Sequence, residues 1–156
     1  GIAYVPQGRE VFPLMTVVEN LETGFACLDK SDHKVPDHIY DLFPVLHDMA
    51  ARRGGDLSGG QQQQLAIARA LITCPKVLLL DEPTEGLQPS MINQIRKVVV
   101  QMKAEGYAII LVEQRIDSVL SIADRITFVE NGRDRETITP SDVDGNASIL
   151  KKYLGV

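Results

Sequence analysis

Two adjacent carboxylates, Asp81 and Glu82, follow the apolar residues 77–80. Open α/β sheets bind their ligands at the carboxyl ends of strands, and neighbouring acids there are costly unless a cation or a proton transfer uses them. The aspartate can hold Mg²⁺ through its water shell, and the glutamate can orient or deprotonate a water that attacks a γ-phosphate. The alternative is a solvated turn after a strand, with no chemistry.

A second candidate group lies upstream, where Ser58, Gly59, Gly60 and Gln61 precede a run of good helix formers. Serine and glutamine at this spacing form a capping box, so the sequence predicts a helix from here to about residue 73. Glycines at a helix start let an anion approach the unpaired N–H groups and the positive end of the helix dipole. The alternative is an ordinary capped helix after a glycine turn.

Single glutamines follow two of the predicted strands: Gln7 follows the first, and Gln114 follows the strand at 108–112. An amide in either place could hydrogen-bond a phosphate. Taken alone, however, each glutamine is typical of polar surface.

The elements that must position these side chains alternate between strands and helices. Short β-prone runs predict strands at 2–5, 76–81 and 108–112, and the last two are apolar enough for strands buried on both faces. The dipeptide Asn131-Gly132 predicts a hairpin that joins 126–130 to 135–139. This alternation indicates an α/β fold with a mostly parallel sheet.

Helix signals fill the rest of the chain. Thr16 and Glu19 have capping-box spacing, and Pro44 should kink or split a helix that begins at Pro36. Capping and periodicity together predict helices at about 16–27, 36–46, 58–73, 89–105, 116–123 and 141–154. The stretch from about 14 to 75 contains helices only, which indicates a helical subdomain inserted before the α/β part at about 76–156.

The composition favours a globular protein and excludes several classes. The 156 residues are 44% hydrophobic and 24% charged, and no apolar run is long enough to span a bilayer. The net charge of −5 argues against a nucleic-acid partner. Cys27 and Cys74 lack metal-ligand spacing, so they are expected to be reduced core residues of a cytosolic protein.

The motifs taken together resemble a known family. LSGGQ at 57–61, VLLLDEP at 77–83 and the upstream Gln7 have the order and spacing of the ATP-binding domain of ABC ATPases, over essentially the whole chain. The resemblance implies a partial P-loop NTPase fold over 1–156, with a helical subdomain insertion and a C-terminal β-hairpin.

The resemblance also implies roles for the candidate residues. Gln7 would be the Q-loop residue that senses Mg²⁺ and the γ-phosphate. The signature residues at 58–61 would contact ATP held by a second subunit. Asp81 would be the Walker B acid that serves Mg²⁺, Glu82 the catalytic glutamate and Gln114 the switch residue.

Two positions depart from the usual family pattern. Gln114 stands where a histidine is usual, so it can hydrogen-bond the γ-phosphate but cannot carry a proton. Gln88, in EGLQP, stands where the D-loop usually has an aspartate. These two departures, together with the segments VPQGREVFP and LFPVL, resemble the sequences of ABC importers that take up branched-chain amino acids and urea. The QQQQ and EGLQPS runs look closest to the urea-type subunit.

The 156 residues contain no GxxxxGK[ST] segment, which would form the phosphate-cradling P-loop. Because the chain also begins within a predicted strand, we expect the N-terminal Walker A part of the domain to be absent and the fragment alone to be inactive. One alternative is a truncated, non-catalytic structural or interaction fragment. Another is an ABC-type ATPase of DNA repair or translation, which the compact insertion and the acidic charge disfavour.

The resemblance implies a function and a set of partners for the complete subunit. It would hydrolyse ATP with Mg²⁺ to energise import of branched-chain amino acids, urea or short amides. Its partners would be a second ATP-binding subunit, identical or not, transmembrane permease subunits and, indirectly, a periplasmic substrate-binding protein, with no nucleic acid. Its location would be cytoplasmic, peripheral on the inner face of the plasma membrane.

Overall fold

The computed structural model of the protein describes residues 1–115 and 119–143. The chain forms two compact units, Gly1–Gln114 and Arg115–Val156. Within the described residues, no helix is both long and apolar enough to cross a membrane.

A three-stranded parallel sheet forms the centre of the first unit. Its strands are β1 (Ile2–Val5), β2 (Val77–Asp81) and β3 (Ala108–Val112), in that spatial order. The register pairs Val5 with Leu80 and Leu80 with Leu111, and the last pair along β2 and β3 is Asp81 with Val112. The loops after all three strands therefore begin at the same edge of the sheet, which confirms the predicted α/β architecture.

The two faces of this sheet differ in exposure. Ala3, Val5, Leu78 and Leu80 are buried on one face, whereas the opposite face leaves Tyr4 and Ile110 more than half exposed. The prediction that residues 108–112 form a strand buried on both sides is therefore wrong. Its physical reason is that β3 lies at an edge of the sheet and only one face is covered by helices of the described chain.

The chain between β1 and β2 contains helices and short 3₁₀ turns only, as expected. Thr16 caps the first helix with the predicted capping box, and Pro44 splits the second helical stretch into two. The α-helices are α1 (Val17–Glu22), α2 (Asp37–Leu42), α3 (Pro44–Asp48) and α4 (Gly59–Ile72). The 3₁₀ turns are Thr23–Cys27, Lys30–Asp32 and Gly54–Asp56.

Helix α4 is the central packing element of the first unit. Ten of its fourteen residues are buried, and it contacts α1, α2, α3 and β1. The buried side chains around it are Val17, Leu21, Ile39, Phe43, Leu46, Leu65, Ile67, Leu71 and Ile72. At about 25 cal/mol for each Å² of apolar surface removed from water, this burial is the main source of stability for the helical segment.

Helix α5 (Pro89–Ala104) connects β2 to β3, and Gly106 follows it with a positive φ of 94°. In the sequence, Met91, Ile95, Val98 and Met102 are spaced by four, three and four residues, which predicts one apolar face of this helix. The structure instead buries Ile92 and Val99 with the last three, and leaves Met91 half-buried.

The second unit contains the predicted hairpin. Strands β4 (Ile126–Glu130) and β5 (Arg133–Ile138) are antiparallel, and Asn131 and Gly132 both have positive φ, at 51° and 71°, as a two-residue primed turn requires. Strand β5 begins two residues earlier than predicted. The short helix α6 (Pro140–Val143) lies where the predicted C-terminal helix begins, while residues 116–118 and 144–154 of the two predicted helices lie outside the described residues.

Both cysteines are free and exposed, so the expectation that they lie in the core is wrong. Cys74 follows the C-cap of α4 in a left-handed conformation with φ of 48°, and its N–H donates to the Leu71 carbonyl. That geometry closes the helix and turns the chain towards β2 without using the thiol for packing.

Asn20 on α1 fixes the segment that follows the loop after β1. The side chain is fully buried, and its Oδ1 accepts from the Phe12 N–H at 2.8 Å. Its Nδ2 donates to the carbonyls of Phe12 at 3.0 Å, Met15 at 3.2 Å and Thr16 at 2.9 Å. One amide therefore satisfies backbone groups that would otherwise be buried without partners.

We expect Asn20→Asp to destabilise the protein by about 3 kcal/mol, because the acid cannot donate to the three carbonyls and buries a charge. The measurement is the free energy of unfolding in urea, with the exposed Glu22→Gln on the same helix as a control. A loss no larger than that of the control would show that the amide contributes little.

Candidate functional site

Glu82 is the meeting point of the loops that follow the three parallel strands. Its backbone has φ of 43°, in the left-handed region, and its N–H donates to the Val112 carbonyl at 2.9 Å. Its Oε1 accepts from Gln114 Nε2 at 2.6 Å, and its Oε2 accepts from Gln7 Nε2 at 3.4 Å. Three predicted site residues, far apart in sequence, are thus brought together around one carboxylate.

Asp81 ends β2 beside Glu82 and has a partner that the sequence did not reveal. The Tyr4 hydroxyl donates to Asp81 Oδ2 at 2.9 Å. Because Tyr4 pairs with Leu79 in the register, and Leu79 and Asp81 share a face of β2, the phenol reaches the acid from the neighbouring strand. This hydrogen bond, with smaller contributions from burial and the Asp81 charge, raises the pKa of Tyr4.

The loop after β1 is also linked to the loop after β2. Gln7 Nε2 donates to Glu85 Oε2 at 2.9 Å, and Arg9 Nη2 donates to the Glu85 carbonyl at 3.3 Å. Gly8 and Arg9 both have positive φ, at 83° and 72°, which turns the chain sharply after Gln7. Sequence reasoning missed Arg9 and Glu85, because no local signal marks residues that meet through the order of the strands.

The signature residues form a separate part of the site. The Ser58 N–H donates to Gln61 Oε1 at 2.9 Å, and the Gln61 N–H donates to Ser58 Oγ at 3.4 Å, so the predicted capping box is present. Each of these side chains accepts from the backbone N–H of the other residue, and neither is bonded to Asp81 or Glu82.

Gly59 and Gly60 lie close to neighbouring side chains at the start of α4. A Cβ on Gly60 would lie 2.8 Å from Met91 Cγ, and one on Gly59 would lie 3.1 Å from Arg9 Nη1. The first glycine position therefore faces the loop after β1, and the second faces α5.

The residues at the sheet edge suit a magnesium ion better than a metal held by a full protein cage. Within the described parts of the chain, no group of three or more His, Cys, Asp and Glu side chains could hold a metal ion. Mg²⁺, however, commonly keeps several waters and binds one or two carboxylates together with substrate phosphates. The Asp81 carboxylate and the side-chain carbonyl oxygen of Gln7 are hard oxygen atoms of the kind that could bind this ion.

The Tyr4–Asp81 pair gives a titration that can be measured. Replacing the carboxylate in Asp81→Asn should lower the pKa of Tyr4 towards its ordinary value, because the neutral amide does not oppose ionisation of the phenol. The hydrogen bond is present below the ordinary tyrosine pKa and is lost as the pH rises through the raised pKa.

The measurement is tyrosinate absorbance against pH, with Tyr4→Phe identifying the transition. Tyr107 is an internal control, because burial is the main cause of its raised pKa and it should not respond to Asp81→Asn. An unchanged Tyr4 transition in Asp81→Asn would contradict the pairing.

Comparison with known proteins places this geometry in a family. The family model described as "ABC transporter" matches residues 1–85. The high-affinity branched-chain amino acid transport ATP-binding protein BraG of Pseudomonas aeruginosa is 45% identical over 156 residues, covering 99% of this chain and 67% of the relative.

Solved structures agree with this assignment. The ADP conformation of MJ1267, an ATP-binding cassette of an ABC transporter, aligns with a TM-score of 0.81 and 27% identity, over 99% of this chain and 67% of that one. A dimeric post-hydrolysis state of the cassette MJ0796, bound to ADP and Pi, aligns with a TM-score of 0.75 and 25% identity, over 89% and 62%. The chain thus spans about two thirds of the length of the relatives it matches, and it belongs to the ABC transporter family of ATP-binding proteins.

Proposed function

We propose that this chain is part of the ATP-hydrolysing subunit of an ABC importer, and that Glu82 is its catalytic base. The observation that carries the proposal is the position of Glu82, at the end of β2 next to Asp81, with amides from two other loops on its carboxylate. Adjacent acids at this edge of a parallel sheet suit a site that binds Mg²⁺ and activates water.

The carboxylate of Glu82 is held in place and still has capacity to accept a proton. Gln7 and Gln114 each donate to one of its two oxygens. A carboxylate has about four acceptor positions, so a water can bind it while both amides stay in place. Glu82 would take the proton of that water as it attacks the γ-phosphate, and Gln114 would donate to a phosphate oxygen without gaining or losing a proton.

Asp81, with Gln7, would hold the magnesium ion of the nucleotide. The ion would supply positive charge against the phosphate oxygens, which neither neutral glutamine can supply. Tyr4 would orient the Asp81 carboxylate by donating to its Oδ2.

The signature residues at 58–61 would serve the nucleotide of a second ATP-binding subunit. Ser58 is exposed, and the N–H groups of Gly59 and Gly60, in the first turn of α4, have no partner within the helix. The capping box fixes the side chains of Ser58 and Gln61, so this helix start is preformed for an anion. The dimeric MJ0796 cassette bound to ADP and Pi supports pairing of two such domains.

The permease contact would lie along residues 7–20, with part of the second helical stretch. Phe12 is 47% exposed and Leu14 is 81% exposed, in a segment that Asn20 holds rigidly. Large apolar side chains on an ordered loop suit a protein partner. Such a contact would place the subunit in the cytoplasm, peripheral on the inner face of the plasma membrane, with a periplasmic binding protein acting only through the permease.

The solute proposed is a branched-chain amino acid, with urea or a short amide as the alternative. The relative BraG, named for branched-chain amino acid transport, supports the first. The solute itself would be recognised by the partner proteins. Stimulation of ATP hydrolysis by leucine but not by urea, in the assembled transporter, is the outcome that favours the first assignment.

In the complete subunit, Glu82→Gln should abolish ATP turnover and retain ATP binding, because the amide keeps the shape of the side chain and loses the base. Gln114→Ala should slow turnover less, since a neutral hydrogen bond contributes about 1–3 kcal/mol. The measurements are phosphate release and nucleotide binding on the same preparations.

Glu105→Gln, on the exposed C-cap of α5, is a matched control for loss of one carboxylate. Normal steady-state turnover in Glu82→Gln would disprove the role given to Glu82. A loss in Gln114→Ala equal to that in Glu82→Gln would show that the switch glutamine does more than hydrogen-bond.

The 156-residue chain by itself should neither hydrolyse ATP nor bind it more tightly than about millimolar, because it contains no P-loop whose backbone could cradle the phosphates. Calorimetric titration with Mg-ATP measures this directly. Micromolar affinity would contradict the expectation.

The second candidate, a non-catalytic interaction module, is favoured by the exposed apolar side chains on the open face of the sheet, Ile2, Tyr4, Ile110 and Val112.

A further inference from the structure

We propose that Glu113 is a positioning residue that fixes Gln114 against Glu82, and the inference rests on the function proposed above. Glu113 lies between the end of β3 and the switch glutamine. Its Oε1 accepts from the Thr84 hydroxyl at 2.6 Å and from the Thr84 N–H at 3.2 Å. A single carboxylate oxygen thus joins the loop after β3 to the loop after β2.

The link occurs where the regular pairing of the two strands has ended. Asp81 and Val112 are the last register pair, and the Glu82 N–H to Val112 carbonyl bond follows it. Beyond this point the two loops could separate, since no further strand pairing holds them. The Thr84–Glu113 bonds join them one residue before Gln114, so Gln114 directly follows the second of two connections between these loops.

Burial makes the Thr84–Glu113 contact more rigid than a surface hydrogen bond. Thr84 is only 5% exposed, and Glu113 is half-buried. The Thr84 hydroxyl strongly favours the conformation in which it is bonded to Glu113, because a buried donor without an acceptor is costly. Gln114, in contrast, is exposed, and its Nε2 reaches Glu82 Oε1 at 2.6 Å. The position of the exposed Gln114 amide therefore depends on the buried Thr84–Glu113 contact next to it.

Among the described hydrogen bonds, the side chain of Glu113 is joined to Thr84 and not to Glu82. Its bonded oxygen is directed at Thr84, not at Glu82, and the neighbouring Gln114 is the residue that contacts the base. Removal of Glu113 should consequently act only through Gln114. A contact that merely stabilises the fold would instead weaken the enzyme whether or not Gln114 is present.

The test is a double-variant cycle on kcat and KM for ATP in the complete subunit within its transporter. Gln114→Ala and Glu113→Leu should each lower kcat about tenfold, with KM unchanged. In the Gln114→Ala background, Glu113→Leu should change kcat by less than about twofold, since the amide it positions is already gone. Thr84→Val should behave as Glu113→Leu does.

Conservative replacement separates positioning from folding. Glu113→Gln keeps an oxygen of similar position that can accept both bonds, so it should restore most of kcat. Combining Thr84→Val with Glu113→Leu removes both polar partners and should recover the urea midpoint while kcat stays low. This pair of variants keeps the test decisive even if Glu113→Leu alone folds poorly.

Equal losses from Glu113→Leu in both backgrounds, or a kcat that recovers with the urea midpoint in the paired variant, would overturn the positioning role. Failure of the proposed function has a different signature, because it requires either no hydrolysis by the unaltered subunit or normal hydrolysis by Glu82→Gln. A subunit that hydrolyses ATP and depends on Glu82 leaves only the role of Glu113 to be decided by the cycle.

Discussion

The site depends on one constraint, the sharp backbone turn at Glu82. A left-handed conformation at a residue with a side chain costs about 1 kcal/mol or more and persists only when the surroundings determine it. Here the Val112 carbonyl holds the Glu82 N–H, and the Glu85 N–H closes a turn onto the Glu82 carbonyl at 3.1 Å. The turn directs the carboxylate towards Gln7 and Gln114, whereas a continued strand would carry the next side chain to the opposite face of the sheet.

Close packing supports this turn from the helical side. Arg9 lies beside Gly59 and donates to the Glu85 carbonyl, so one guanidinium bridges the start of α4 and the loop that follows Glu82. Met91 occupies the space that a side chain at Gly60 would need. The two glycines therefore allow α4 to approach the β1 loop and α5 closely.

The sequence predicted features that depend on neighbours within a few residues. Both capping boxes, the split at Pro44 and the turn at Asn131-Gly132 are local in this sense, and the structure confirms them. Features that depend on sheet order escaped prediction. The contacts of Tyr4 with Asp81 and of Thr84 with Glu113 join residues 77 and 29 positions apart, so no periodicity or cap marks them.

Burial was the other property that sequence could not supply. The apolar run Ala108–Val112 has the composition of a strand covered on both faces, but coverage depends on which elements lie above and below the strand. Cys74 is likewise exposed, although its neighbours in sequence are apolar, because it lies in the turn between α4 and β2. The side-chain type shows whether a residue can be buried, but the arrangement of the surrounding elements determines whether it is.

The charge balance at the sheet edge connects the geometry with the proposed chemistry. Asp81, Glu82 and Glu85 lie within five residues of one another at the end of β2. The described groups that donate to their carboxylates are the phenol of Tyr4 and the neutral amides of Gln7 and Gln114. Arg9 gives its described hydrogen bond to the Glu85 backbone and not to a carboxylate. Neutral donors orient these acids without cancelling their charge. In the function proposed above, a magnesium ion carried by a nucleotide would supply the missing positive charge while leaving Glu82 free to accept a proton.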